Sequence, residues 1–381
     1  GAVFGEKLGW ERANWFADTG EKPCDIYTFG LPNWHSAVAR EHKAARETAV
    51  LFDQTSFAKY ILTGPDAEQA LQWIAANRVD KPIGTIIYTQ MLNDKGGIEC
   101  DLTCVRTKVN EYYITTGTGY ATHDFDWISR NIPSGLNAQL IDVTSSNAVL
   151  SLFGPKARDI LQVVTLNDVS DNGHPFGLAR QISIAGCSVL ALRITYVGEL
   201  GWELHLPVEY AQTIYNTLIE AGSPLGLRNA GYRAIETLRL EKGYRAWSSD
   251  IGPDHTPDEA GLGWAVKMKS NISFKGRDAV ARQREEGIKK IMATFTTDSD
   301  IILSGRETIY RNGHRCGWLS SAGFGHTIGK FIGMGYVRSD EYIDTEYVLS
   351  GEYELEVATE RVKANVFLKP LYDPKLEKVK T

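Results

Sequence analysis

A faint internal duplication constrains what this chain can fold into more than any other feature of it. Asp53-Gln-Thr-Ser56 precedes a strand-like Tyr60-Ile-Leu-Thr63, then Gly64-Pro65-Asp66-Ala67 and a helical stretch ending Leu71-Gln72. Asp142-Val-Thr-Ser145 precedes Val149-Leu-Ser-Leu-Phe153, then Gly154-Pro155-Lys156-Ala157 and Ile160-Leu161-Gln162. Self-similarity of this kind sets the architecture before any single residue does. Proline at the start of a helix costs little, because the N–H it lacks would be unpartnered there. Each copy therefore predicts strand, tight turn, helix, and the pair predicts two α+β units of related design. Chance recurrence of Gly-Pro ahead of a helix is the competing explanation. At about 150 residues per domain, 381 residues leave room for two or three domains.

Three later segments carry chemistry or mark a boundary. After the polar turn Asn93–Gly97, Ile98, Cys100, Leu102 and Cys104 alternate with Glu99, Asp101 and Thr103, which predicts a strand with Asp101 off the core face. Leu190–Tyr196 and Trp202–Leu206 read as a hairpin around Val197-Gly-Glu-Leu-Gly201. Trp202, Leu204 and Leu206 share one face there, and Glu203 and His205 the other. From Arg228 to Lys242 apolar residues recur at helical spacing until Gly243, a natural stop. Past about residue 285 strands dominate, with an Asn312-Gly313 hairpin turn and alternating Val362, Ala364, Val366 and Leu368. This is read as a small all-β domain over residues 286–381, set against residues 1–285.

Composition removes several function classes. The balance of 41 Lys+Arg against 47 Asp+Glu leaves −6 and no basic run, so no nucleic-acid partner is expected. Five cysteines, none in a Cys-x-x-Cys pair, fit a reducing compartment and offer no zinc framework. The eight histidines are scattered, and no metal site is expected. No apolar run approaches the roughly 18 residues of a spanning helix, and Gly1–Trp10 does not resemble a leader. A soluble cytoplasmic chain without a membrane partner is the expectation, trimmed or part of something longer, since it begins at Gly1. Gly117-Thr-Gly119 lacks a third glycine, and Gly323-Phe-Gly325-His-Thr-Ile-Gly329 precedes a strand-like run, so both are read as loops and not as dinucleotide fingerprints. Neither a phosphate-cradling Gly-x-x-x-x-Gly-Lys loop nor Gly-x-Ser-x-Gly nor His-Glu-x-x-His occurs. What remains are Asp101 and Glu203, acids on the non-core side of strands. Spacing alone fits a solvent-facing or Arg-paired carboxylate as well as a functional one.

At these segments the sequence resembles the aminomethyltransferase family, the glycine-cleavage T-protein and its relatives, along essentially its whole length. The matching strings are Leu51-Phe52-Asp53 with Ser56, Gly64-Pro65-Asp66-Ala67, Leu92 to Leu102, the Tyr196–Glu203 hairpin, Leu238-Arg239-Leu240-Glu241-Lys242-Gly243, Asp250-Ile251 with Thr256-Pro257-Asp258-Glu259, and Ile332 to Val337. The opening Gly9-Trp10-Glu11-Arg12-Ala13-Asn14-Trp15-Phe16 is similar to the start of the folate-binding half of dimethylglycine and sarcosine dehydrogenases and of the pyruvate dehydrogenase phosphatase regulatory subunit.

The resemblance implies a three-lobed α+β fold, two ferredoxin-like lobes and a C-terminal β-barrel around a central folate channel. It implies tetrahydrofolate as cofactor and capture of a one-carbon unit from a methylated amine as 5,10-methylenetetrahydrofolate, in the cytoplasm or a mitochondrial matrix. Asp101 matches the family's catalytic aspartate, and Tyr88, Tyr196, Glu203, Arg239 and Trp247 are the implied folate contacts. An FAD-dependent dehydrogenase or oxidase, fused or separate, is the implied partner. Two alternatives stay open: methyl transfer from a sulfonium or quaternary ammonium donor to give 5-methyltetrahydrofolate, and a non-catalytic regulatory protein on the same fold. The chain departs from T-proteins at Ile235, where they carry an Arg, and at Cys100, where they often carry a second Asp. The first leaves the hold on the folate glutamyl tail open, and the second leaves Asp101 as the single obvious acid.

Overall fold

A computed structural model describes residues 1–299 and 301–381. The duplication is real in three dimensions. Strand Ala58–Thr63 leads to helix Ala67–Ile74, and strand Asn147–Phe153 leads to helix Ala157–Val164. Both turns rest on a glycine with almost the same backbone angle, φ +134° at Gly64 and +130° at Gly154. A Cβ would strike a backbone oxygen at each, Asn137 O at 2.3 Å and Thr48 O at 2.5 Å, so only glycine fits. The copies share a further device: Gln72 donates to Asn77 O at 3.0 Å and Gln162 to Asn167 O at 3.1 Å. Pro65 and Pro155 lie in the turns, two residues ahead of the first helical residue, and not at the helix starts the sequence implied.

Each copy contributes to a separate sheet. Five antiparallel strands lie in the order Ile86–Leu92, Ile98–Lys108, Glu111–Thr116, Ala58–Thr63, Gln139–Asp142. Six lie in the order Ala179–Ile184, Cys187–Leu192, Gly201–Pro207, Asn147–Phe153, Ala49–Asp53, Leu227–Asn229, the last pair parallel. Helices Ala67–Ile74 and Ala121–Asn131 pack on the outer side of the first sheet, and Ala157–Val164 and Ala211–Gly222 on that of the second. Alternation along each strand thus sends one row of side chains to the helices and leaves the other row for the space between the sheets.

The Cys187–Leu192 strand of the predicted hairpin stops four residues before Tyr196, which sits in the connecting loop. The amphipathic helix runs Tyr232–Glu241, shorter than its apolar spacing predicted, because Leu227–Asn229 is drawn into the second sheet. Its first turn is held by buried Glu41, which accepts from Gly231 N at 2.9 Å and Phe16 N at 2.6 Å; burial pushes this carboxyl up to about 7. Gly243, at φ +62°, ends the helix. The C-terminal strands close into a six-stranded barrel, with Asn312 and Gly313 both at positive φ in the predicted hairpin turn and Val362, Ala364, Val366 and Leu368 packed on its core. Among the described residues no helix is long and apolar enough to cross a membrane.

Candidate active site

Strand pairing decides which side chains can meet. Gln90 stands opposite Asp101, Tyr88 opposite Thr103, and Thr103 opposite Thr115, so all share one face of the first sheet. On the second sheet Glu203 pairs with Leu192 and with Ser151, and His205 with Leu190. The two faces look at each other: the Tyr113 hydroxyl lies 3.1 Å from His205 Nδ1, amid Val105, Ala179, Leu190 and Leu192. Asp101 and Glu203 therefore stand on opposite walls of one inter-sheet space, each with its own partners.

Asp101 Oδ1 accepts from Gln90 Nε2 at 2.8 Å. Burial pushes its carboxyl up to about 6, against the pull of Tyr88, Gln90 and the Arg245 guanidinium; Asp124, behind the strand, adds to the rise. Tyr88, Tyr196 and Arg245 are closely surrounded by protein, yet each keeps an accessible face, as Asp101 does. Side chains that are enclosed and still accessible fit the lining of a hollow between the sheets. Flat rings flank it: Tyr196 stacks on Tyr244 at 5.8 Å and 17°, and Tyr88 on Trp264, itself solvent-exposed, at 5.6 Å and 27°. Burial raises both tyrosines above their ordinary value, so their hydroxyls stay protonated.

Backbone geometry fixes these walls. The Tyr196 hydroxyl donates to Arg245 O at 2.9 Å, and Arg245 Nε to Ala260 O at 2.8 Å. The guanidinium fits against Gly261, at φ +69°, where a Cβ would stand 2.8 Å from Nη2. Glu203 Oε2 lies 3.5 Å from His205 Nε2, with 13% of its side chain exposed. Two buried polar atoms on the facing walls, Gln90 Oε1 and Thr115 Oγ1, make no hydrogen bond within the protein, and His205 Nε2 has only the longer approach to Glu203. Orphans of this kind are rare in native interiors. Here they flank both acids, so the hollow is dressed for a ligand rich in donors and acceptors.

Two sequence candidates stand apart from the acids. Arg239 is fully buried with its fork spent on protein: Nη1 donates to Asp250 Oδ2 at 2.7 Å, and Nη2 to Ser321 Oγ at 2.8 Å and to Glu236. Burial opposes its charge, and Glu236 and Asp250 more than restore it. It lies behind Tyr196, close enough for its charge to act on the phenol, and so is placed to position that wall. Trp247 donates from Nε1 to Ile98 O at 3.0 Å and packs edge-on to Tyr120 at 4.6 Å. Arg233 forms a two-pronged pair with Asp25 at 3.0 and 2.8 Å and does not replace the missing Ile235 guanidinium. A surface depression of about 650 Å³, lined by Glu68, Gln72, Trp73 and Ile272, contains none of these groups. The raised acid and the orphaned atoms mark the inter-sheet hollow instead.

Gln90, Tyr244, Arg245 and Trp264 escape sequence reasoning. Gln90 alone had a usable signal, since a strand pairing with Ile98–Val105 must set some side chain opposite Asp101. The others come from loops whose path no periodicity encodes.

Known proteins resemble this chain in sequence and fold along most of its length. A family model described as the GCVT N-terminal domain matches residues 1–270, and one described as the glycine cleavage T-protein C-terminal barrel domain matches residues 290–373. Mitochondrial sarcosine dehydrogenase of Homo sapiens is 36% identical over 420 aligned residues, covering 100% of this chain and 46% of that protein. The aminomethyltransferase of Halothermothrix orenii is 34% identical over 325 residues, 85% of this chain and 90% of that one. The crystal structure of aminomethyltransferase T from Bartonella henselae superposes with a TM-score of 0.82 at 24% identity, covering 98% and 95% of the two chains. The chain spans about half the length of the first curated relatives it matches. Two domain models in family order and a full-length relative above 30% identity agree with a mixed α/β body closed by a barrel: the chain belongs to the aminomethyltransferase family of the glycine-cleavage T-protein.

Proposed function

We propose that this chain moves a one-carbon unit from a methylated amine donor to tetrahydrofolate, giving 5,10-methylenetetrahydrofolate. The observation that carries the proposal is the enclosed, raised acid Asp101 between stacked aromatic walls, with orphaned polar atoms beside it. A reduced pterin suits those residues: flat enough for the tyrosine walls, with donors along one edge that a carboxylate such as Glu203 accepts in pairs. When bound, the folate supplies the nitrogens that take up the carbon.

The protein's part is electrostatic and positional. Asp101, mostly ionised at neutral pH, places negative charge where a cationic iminium donor would sit, and its free oxygen accepts the proton that a nucleophilic amine loses. Gln90 Nε2 and the Tyr88 hydroxyl fix the carboxylate's orientation. Arg239 and Arg245 hold the Tyr196 wall, and Trp247 closes the hollow toward Tyr120. A flavin-bearing dehydrogenase half, fused or separate, would supply the iminium. The doubled length of the relatives supports this, as does the exposed apolar segment in which Phe29 is wholly exposed and Tyr27 80% exposed. A reducing compartment, cytoplasm or mitochondrial matrix, belongs to the same proposal, since all five cysteines are unpaired.

Incubating the protein with tetrahydrofolate and formaldehyde or methylated amines, then identifying the folate product, tests this reading. 5,10-Methylenetetrahydrofolate formed faster than without protein supports it. 5-Methyltetrahydrofolate from a sulfonium or quaternary ammonium donor replaces it with methyl transfer, and folate bound without turnover replaces it with a regulatory role. Glu203→Gln is expected to weaken folate binding by about 1.5–3 kcal/mol, the worth of hydrogen bonds to a charged group. Titration calorimetry showing wild-type affinity would remove Glu203 from the site.

A further inference from the structure

Behind Asp101, on the opposite face of its strand, Cys100 meets the first turn of helix Ala121–Asn131. One donor atom each from Cys100, His123 and Asp124 lies within 4.8 Å of the others, the single such group among the described residues. Cys100 and Asp124 are buried, while His123 is 41% exposed and leaves a route from solvent. Sequence spacing held no metal ligand set; the sheet and helix bring this one together from distant segments.

The surroundings are those of ligands already oriented. His123 Nδ1 lies 2.9 Å from Asp124 Oδ1, and its Nε2 lies 3.5 Å from Glu99 Oε2. An imidazole whose far nitrogen faces a carboxylate is the usual outer-shell arrangement of a metal-bound histidine. Asp124 Oδ2 accepts from Thr116 Oγ1 at 2.6 Å, and Oδ1 faces His123 Nδ1, so a cation that takes the place of the imidazole proton between those two atoms is held by both. Charge points the same way. Glu99, Asp101 and Asp124 crowd one strand and the helix behind it. Among the described residues the only ion-pair partner of Asp124 is the His123 imidazole, and Arg245 is directed to backbone carbonyls. That imidazole is the one side chain at hand to balance the buried carboxylate.

We propose that Cys100 Sγ, His123 Nδ1 and Asp124 Oδ1 bind a divalent cation of the zinc class, with a fourth position open to solvent beside His123. A sulfur, nitrogen and oxygen set selects such a borderline ion over magnesium or calcium, which take oxygen alone. Three metal–ligand bonds form as three waters leave the hydrated ion; the Cys100 S–H bond breaks with its proton passing to solvent, and the Nδ1–H bond that His123 shares with Asp124 breaks as the imidazole keeps its proton on Nε2, facing Glu99.

Cobalt(II) titration of the chelator-treated chain reads the site directly, because a thiolate bound to cobalt absorbs by charge transfer. The expected result is a band that saturates at one equivalent, is bleached by zinc, and is absent in Cys100→Ser. Glu99→Gln keeps the band but needs about 10- to 100-fold more cobalt, the usual loss for an outer-shell partner. No band at stoichiometric cobalt, or an equal band in Cys100→Ser, overturns the proposal. Should Cys100→Ser not fold, the exposed His123→Gln serves, and an unchanged titration in that variant is equally fatal. None of these measurements depends on folate or on turnover.

Discussion

Asp101→Asn lowers one-carbon transfer by about 10² or more, the usual size for a positioned acid or base, while tetrahydrofolate still binds. The substitution keeps the shape and the contact with Gln90 but removes the charge and the proton acceptor. Wild-type turnover is expected to rise with pH through about 6, where Asp101 ionises, and the variant to lose that inflection. Stability moves the other way. The folded carboxyl holds its proton up to about 6 against about 4 in the unfolded chain. Its contribution is therefore complete below about pH 4 and is lost as pH climbs through 6. At pH 8 Asp101→Asn is expected to be the more stable protein by roughly 1–3 kcal/mol. Single-turnover rates and denaturant midpoints across pH 5–8 check both halves, and unchanged turnover would take Asp101 out of the mechanism.

Arg239→Ala is expected to cost about 3–5 kcal/mol of folding stability, the penalty for stranding a buried charge. Asp250 is wholly buried and also accepts from Ala246 N at 3.0 Å and Ser321 Oγ at 2.7 Å. Loss of the guanidinium leaves those donors but no counter-charge. The same network ties the Tyr232–Glu241 helix to the barrel through Ser321, so the body and the barrel are expected to loosen together. Replacing the pair by Met and Leu in one double variant should recover most of the loss, since the charges and not the volume are what is stranded. Urea unfolding decides it: a single-variant cost under about 1 kcal/mol, typical of an exposed pair, would mean that Asp250 finds another partner.

Much of the fold was legible. The Gly-Pro repeats fixed two strand–turn–helix units because a glycine with positive φ against a neighbouring backbone tolerates no other residue. Alternation from Ile98 to Val105 placed Asp101 off the core face, since a strand has only two faces. Helix ends were less legible: apolar spacing ran on to Arg228, but pairing with Ala49–Asp53 captured Leu227–Asn229 as a strand. Periodicity reads Tyr196 as the end of a strand, but it lies in a loop, because the backbone around it bonds locally, Val197 N and Gly198 N both donating to Thr195 Oγ1, and sheet pairing ends at Leu192.

The amino-acid order alone determined the duplicated architecture, an all-β C-terminal part and the sidedness of Asp101 and Glu203, which follow from local rules, since period and turn chemistry act between near neighbours. Its matching strings carried the family resemblance, and with it the barrel. Only tertiary structure decided that the two acids stand on facing walls, that Arg239 spends its fork on Asp250 and Ser321, and that Cys100 meets His123 and Asp124. Such pairings depend on how sheets and loops from distant segments pack, and burial and charge at those contacts, not spacing along the chain, set what each group can do.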